Sequence, residues 1–185
     1  MIERALAASL AAGLLVLAQH GEAPSAPPTK VALCALLADP VAYDRELIEV
    51  TGDVSHGFEH FQFSDGACMA PADVWLEYGG RRNSNTVYCC GTTANAKRPR
   101  TLVVEGITLP LVEDEIFKQF DARIMGEADT AFRATLVGRF FAGELQTLPA
   151  GKQWGGYGHL GCCTLFVIQR VITIEPSARS ASAGR

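Results

Sequence analysis

One ten-residue stretch limits the folds open to this chain more than any other. From Glu46 to Ser55, Ile48, Val50 and Val54 alternate with Glu49, Thr51 and Asp53, the period of a strand with one buried face. Gly52 falls in the apolar register of that strand. A glycine there marks a bulge or a sharp coil, the device that lets a small sheet curl far enough to close.

The rest of the pattern extends this. His56-Gly57 reads as a turn, and Phe58 to Ser64 returns as a strand with Phe61 and Phe63 on one face. Asp73 to Tyr78 alternates Val74, Leu76 and Tyr78, Arg81 to Arg100 is loop-like, and Thr101 to Leu111 is read as a further strand. Val112 to Ile124 carries Ile116, Phe117, Phe120 and Ile124 near the helical period, with acids at its start and Gly126 as a stop. Ala131 to Ala142 and Cys163 to Glu175 are long apolar strands. Ahead of them all, Val31 to Ala38 is a short helix stopped by Asp39-Pro40.

The expected fold is therefore mainly β: a small five- to six-stranded barrel with one inserted helix and a short N-terminal helix. The helix before the fourth main strand is the layout of an OB-fold. The runs Cys34 to Asp44, Leu47 to Gly52, Gly57 to His60, Arg139 to Gly143 and Gly156 to Cys163 carry a resemblance. Over residues 31–172 the chain resembles bacterial exported proteins of unassigned function with an OB-like, tRNA-anticodon-binding-like barrel. That resemblance implies the barrel and export, and brings no catalytic residue with it, since fold does not give function.

Export is also legible at the N-terminus. Arg4 precedes an apolar run to Ala18, and Val16 and Ala18 suit cleavage before Gln19. The run is short of the roughly 20 residues that a membrane span needs. The expected organisation is a signal peptide at 1–18, a flexible leader at 19–30, the OB-like domain at 31–175 and a disordered tail at 176–185. Three prolines between Gly21 and Lys30 keep the leader out of regular structure. A periplasmic or secreted location follows, with no stable membrane span after processing.

In such a compartment thiols are oxidised, so Cys34, Cys68, Cys89, Cys90, Cys162 and Cys163 read as structural disulfides. If the first two strands form a hairpin, the chain returns after the second to where the first began, which pairs Cys34 with Cys68. The doublets Cys89-Cys90 and Cys162-Cys163 are expected to partner each other, because neighbours on a strand face opposite ways and a bond within a doublet strains the ring. The alternatives are redox thiols, or a zinc or copper site drawn from these doublets and His159. No paired CxxC motif supports the metal, and neither a resident metal nor a cofactor is expected.

Two loops carry the candidate ligand-binding residues: His56, Glu59 and His60 at the first hairpin, and Trp154, Tyr157 and His159 between the last two strands. In OB-folds these connections border the ligand face, where imidazoles, a carboxylate and aromatics hold a ligand by stacking and hydrogen bonds. The opposing reading has the same side chains satisfying one another while the glycines make turns. Gly156-Tyr-Gly158-His-Leu-Gly161 matches G-x-G-x-x-G, but Leu165 to Ile168 follows as a strand where a dinucleotide site needs a helix. Arg81, Arg82, Lys97, Arg98 and Arg100, interleaved with Tyr78 and Tyr88, form either an anion-binding patch or a solvated loop. The net charge of −4 argues against nucleic acid as a partner.

The functional expectation is an exported, disulfide-stabilised binding module for a small molecule or protein partner, more a binder than an enzyme, with no catalytic residue assigned. The alternatives are a metal- or thiol-dependent periplasmic enzyme using His60 and His159 with Glu59 as base, and a structural envelope protein. Export makes a direct expectation. Mass analysis of protein expressed with its leader in a Gram-negative host should find a mature N-terminus at Gln19. Intact Met1 in the membrane fraction would make the chain an anchored protein instead.

Overall fold

The structure, a computed structural model, describes residues 26–57, 59–68, 74–84, 97–126, 132–149 and 151–176. The export segment, most of the leader, Phe58, Tyr88, Cys89, Cys90 and the tail beyond Pro176 lie outside them. In chain order the elements are strand β1 (Thr29–Lys30), helix α1 (Leu33–Ala38), β2 (Leu47–His56), β3 (Phe61–Ser64) and β4 (Val74–Tyr78). After these come β5 (Val103–Val104), β6 (Ile107–Thr108), helix α2 (Glu115–Met125), β7 (Phe132–Phe141), β8 (Glu144–Leu148), β9 (Gly151–Gly155) and β10 (Thr164–Pro176).

Five strands close into a mixed barrel in the order β2-β3-β4-β10-β7, with β7 pairing back onto β2. The β4–β10 pair is parallel and the other four pairs are antiparallel. This arrangement is compatible with an OB-like barrel. The alternation read from the sequence fills it: Ile48, Val50 and Val54 of β2, Phe61 and Phe63 of β3, and Val74, Leu76 and Tyr78 of β4 are buried in one cluster. Phe132, Ala134, Leu136 and Phe140 of β7 join them, with Phe166, Ile168 and Val171 of β10.

Gly52 explains how a barrel this small accommodates so many rings. A Cβ there would lie 2.9 Å from the Phe63 ring and 3.0 Å from the Ser64 carbonyl oxygen, so the missing side chain is the space Phe63 occupies. Gly138 on β7 is tighter still, because a Cβ would stand 2.2 Å from the Val167 carbonyl oxygen of the neighbouring strand.

Both helices pack into the same core. Helix α1 contributes Leu33, Leu36 and Leu37, and ends where Asp39 accepts the Ala42 N–H and starts a 3₁₀ turn at Pro40. Helix α2 contributes Phe117, Phe120 and Ile124. It begins at Glu115, later than the expected Val112, because the Asp114 carboxylate accepts the Phe117 N–H at 3.0 Å and fixes the N-cap. Val112 instead lies outside the helix and donates to the Gln169 carbonyl. Ile116, expected on the buried stripe, is exposed.

Three further expectations are corrected. Thr29 and Lys30, assigned to the leader, form β1 and pair in parallel with Ile48 and Glu49, because the first half of β2 has an edge that β3 does not cover. Residues 101–111 are not one strand; they fold back as the β5–β6 hairpin at Glu105 and Gly106, both left-handed (φ 47° and 80°). The connection before β10 is not all loop, since β8 and β9 form a hairpin that carries Trp154.

Cys34 is bonded to Cys68 with a Cα–Cα distance of 5.0 Å, tying α1 to the end of the first hairpin as expected. Cys162 is bonded to its neighbour Cys163, against the expectation that the doublets pair with each other. The alternation argument fails here because Cys162 is not on a strand. It has helical backbone angles (φ −65°, ψ −22°) after a 3₁₀ turn, and β10 starts only at Thr164.

Cys34→Ser and Cys68→Ser should each lower stability by about 2–4 kcal/mol, and the double variant by no more than either, as one cross-link predicts. Gly138→Ala should cost about 1–3 kcal/mol by overpacking the β7–β10 ladder. Denaturant unfolding measures both. A Gly138→Ala midpoint equal to that of the parent would mean that the two strands separate at no cost.

Candidate ligand cavity on the outer barrel wall

Because neighbours on a strand face opposite ways, β4 buries Trp75 and places Glu77 on the side away from the barrel interior. Trp75 joins Leu109, Phe141, Cys163, Leu165 and Val167 in a second apolar cluster outside the barrel. Leu102, Val104, Ile107, Tyr157 and Cys162 pack against it. The short β5–β6 hairpin thus covers the outer wall formed by β4 and β10. Next to this layer lies a cavity of about 270 Å³, lined by Glu77, Arg98, Leu102, Val103, Val104, Tyr157 and Leu165.

The polar end of the cavity is an ion pair held from several sides. Arg98 Nη2 lies 2.9 Å from Glu77 Oε1, and both side chains are largely withdrawn from solvent. Arg98 Nη1 also donates to the Tyr78 and Arg82 carbonyls. Glu77 accepts the Tyr78 N–H at 2.8 Å and the Ser84 hydroxyl at 3.3 Å. A half-buried charge pair with its remaining lone pairs and protons satisfied is the arrangement that tolerates loss of water. The basic run expected as a patch or a solvated loop is therefore partly internal. Arg82, its neighbour in that run, makes a bidentate pair with Asp121 of α2 at 2.8 and 3.0 Å. Tyr78 is fully buried against Phe61, Phe117 and Phe120, and burial, then the Asp121 charge, pushes its hydroxyl pKa well above the usual range.

Tyr157 forms one wall. Its backbone exchanges hydrogen bonds with Cys163 in both directions, at 3.1 and 3.0 Å, and its ring lies 6.3 Å from that of Phe141. Its hydroxyl donates to Glu105 at the hairpin tip, and Glu105 is paired with Arg45. The Tyr157 hydroxyl, with Arg45 behind it, holds the Glu105 carboxyl below its ordinary pKa. Three distant segments are fastened together at this rim.

Of the six candidate residues, Tyr157 lines the cavity and His56 reaches its floor indirectly. His56 Nε2 donates to the Ser84 carbonyl at 3.1 Å, and the Ser84 hydroxyl is on Glu77. The His56 ring also stands edge-on to Phe61 at 5.4 Å. His60 packs over Gly57, where a Cβ would meet its ring at 2.3 Å, and Glu59 is exposed at the hairpin tip. Trp154 packs against the main core from β9. His159 sits in the turn before Cys162, with its Nδ1 enclosed and unbonded among the described residues. The G-x-G-x-x-G run is followed by β10, as its rejection required, and Gly156, Gly158 and Gly161 all have positive φ.

Sequence reasoning passed over Glu77, and it placed Arg98 only in the basic run, without this partner. The signal was present: five cations between residues 81 and 100, with no acid from Tyr78 to Val104, leave Glu77 as the nearest carboxylate on the preceding strand.

Comparison with family models, curated proteins and solved structures found no match. Among the described residues, no helix is long and apolar enough to cross a membrane. No group of three or more His, Cys, Asp or Glu among them is placed to hold a metal ion.

The His56 environment sets a pH dependence. Burial first of all, and the nearby His60, lower the His56 pKa, while its bond to Ser84 opposes them. A histidine whose folded pKa lies below the unfolded value near 6.5 favours folding when neutral. That stability is full above the unfolded value and is lost as pH falls through it. Asp65 and Glu105, also depressed, act only lower, below about pH 4.5. Thermal melts should therefore drop between about pH 7.5 and 5.5 in the parent and stay level in His56→Gln, which keeps a donor for Ser84. Identical profiles for the two proteins would remove His56 as the titrating group.

Proposed function

We propose that this chain is an exported, non-enzymatic binding module of the OB-like, anticodon-binding-like kind, with its small-molecule site in the cavity over Glu77 and Arg98. The observation that carries the reading is the combination in one cavity of apolar walls (Leu102, Val103, Val104, Leu165), an aromatic wall (Tyr157) and a satisfied ion pair. Such a mixture is the usual make-up of a ligand pocket. The position agrees with the frame. OB-folds bind across their second and third strands and the connection between the fourth and fifth. Here Glu77 lies on the third barrel strand, β4, and Tyr157 lies between the fourth and fifth, β7 and β10.

The volume selects a small ligand, because about 270 Å³ is at the lower limit of ordinary ligand pockets. The internally neutralised Glu77–Arg98 pair favours an uncharged molecule with one polar group directed at the guanidinium and an apolar body against the valines. His56 then acts as a positioning residue, steadying Ser84 and through it Glu77.

Titration of the protein with benzamide as probe, followed by amide NMR, tests the assignment. The shifts should centre on Val104, Tyr157 and Leu165. Val103→Trp, at an exposed position on the cavity wall, should abolish them while leaving the melting temperature within a few degrees. Benzamide that shifts only amides elsewhere, or binds the Trp variant equally well, would sink the assignment.

A further inference from the structure

The bond between Cys162 and Cys163 lies at one end of the loop that builds the cavity's aromatic wall. The loop from Gly156 to Cys163 is closed by the mutual Tyr157–Cys163 hydrogen bonds and by Gly156 N–H to the Gly161 carbonyl at 2.9 Å. Inside it, Gly158, Leu160 and Gly161 take left-handed backbone angles (φ 73°, 57° and 70°). Leu160 is a leucine in a conformation that glycine favours, and it is 82% exposed. A backbone of this kind persists when its surroundings over-determine it. Here those surroundings include a covalent link between consecutive residues.

The two bonds in the described chain differ in what they hold. Cys34–Cys68 spans a sequence separation of 34 and fastens α1 to the barrel, so the fold and the bond stabilise each other. Cys162–Cys163 encloses a single peptide unit and cross-links no distant segments. Its reduction frees no long loop, and global folding gives it no comparable protection against reductants. Cys163 is fully buried beside Trp75, whereas Cys162 is partly exposed at the surface of the second cluster. One sulfur is thus offered for attack and the other is sheltered from it.

We infer that Cys162–Cys163 is a reversible thiol–disulfide exchange site, reduced by a dithiol partner, which sets the order of the Tyr157 loop. A partner thiolate attacks the Cys162 sulfur, forming a mixed disulfide and expelling the Cys163 thiolate, which takes a proton. The partner's second thiol then attacks its own sulfur in the mixed disulfide and releases Cys162. Two electrons and two protons pass to this chain, and the partner leaves as a disulfide. In the reduced state Cys162 and Cys163 rotate independently, and the backbone pairing of Cys163 with Tyr157 loses its covalent support. The exchange itself stands apart from the ligand reading; its effect on the cavity rests on that reading.

The test uses the exported full chain with dithiothreitol as the dithiol. Graded reduction, alkylation and peptide mass mapping should label Cys162 and Cys163 at lower dithiothreitol than Cys34 and Cys68. At that stage far-ultraviolet circular dichroism should be unchanged, and amide exchange in Gly156–Cys163 should rise tenfold or more while the β2 and β7 peptides hold theirs. Removing the reductant in air should restore the bond and the slow exchange. A Cys162→Ser/Cys163→Ser variant should show the fast exchange without any reductant. The inference is overturned by a map joining either cysteine to Cys89 or Cys90, by earlier labelling of Cys34 and Cys68, or by loop exchange that ignores the redox state. Failure of benzamide to bind, with these outcomes intact, would count against the cavity reading alone.

Discussion

Strand β2 is the constraint on which the rest of the structure depends. It pairs with β3 through its last residues, with β7 along most of its length and with β1 near its start, and so it is both the first and the last strand of a closed sheet. A strand can serve both neighbours only by coiling strongly. Gly52 sits where β2 passes from β1 to β3, in unbroken register with Ala134 of β7, and its bare Cα leaves the interior space that the Phe63 ring occupies. With the curl in place, the interior is narrow enough for aromatic side chains from β3, β4, β7 and α2 to fill it edge to face. The same closure turns alternate residues of β4 and β10 outward. That leaves an apolar outer wall which the chain must cover with the β5–β6 hairpin and the Tyr157 loop.

The charges follow from this geometry. The chain from Gly79 onward leaves the barrel polar and rich in arginine, and its backbone would be loosely held without them. Arg98 bonds the carbonyls of Tyr78 and Arg82, Arg82 bonds Asp121, and the backbone N–H of Arg98 donates to the Arg81 carbonyl. Planar, multidentate guanidinium groups do this better than ammonium groups can. Side chains that look in sequence like a surface field for anions are, in part, clamps that fix one wall of a cavity. The same logic applies at the rim, where Arg45, in a left-handed turn, meets Glu105, in another.

The five barrel strands were legible to within a few residues, because half-buried strands carry the alternation that a reader can see. Elements whose reason for existing lies elsewhere in the chain were not legible. Two residues of β1 are a strand only because β2 offers an unpaired edge. Glu113, Asp114 and Glu115 are each suited to a helix start, and the choice of Asp114 is made by where Val112 must pair with β10. The Cys162–Cys163 bond was misjudged because strand geometry was assumed for a residue with helical backbone angles. For the candidate site, aromatic and histidine side chains beside glycines drew attention to Tyr157 and His56. The Glu77–Arg98 pair joins residues far apart in sequence through a loop whose course the sequence does not specify.

The parallel β4–β10 pair carries a consequence for the order of events during folding. Val74 meets Thr164 and Tyr78 meets Ile168, so the barrel cannot close until nearly the whole chain is available. The β2–β3 hairpin, by contrast, is local, and the Cys34–Cys68 bond encloses it. Long-range pairings pay their loop entropy before any contact rewards them, and this slows folding. During synthesis from the N-terminus, the hairpin and both of these cysteines emerge well before β10. An early cross-link would then preserve a curled half-barrel with its Phe61 and Phe63 face open, waiting for the last strand. The half-life of that intermediate, set by how fast β10 arrives, is where a chain of this topology is most exposed to aggregation.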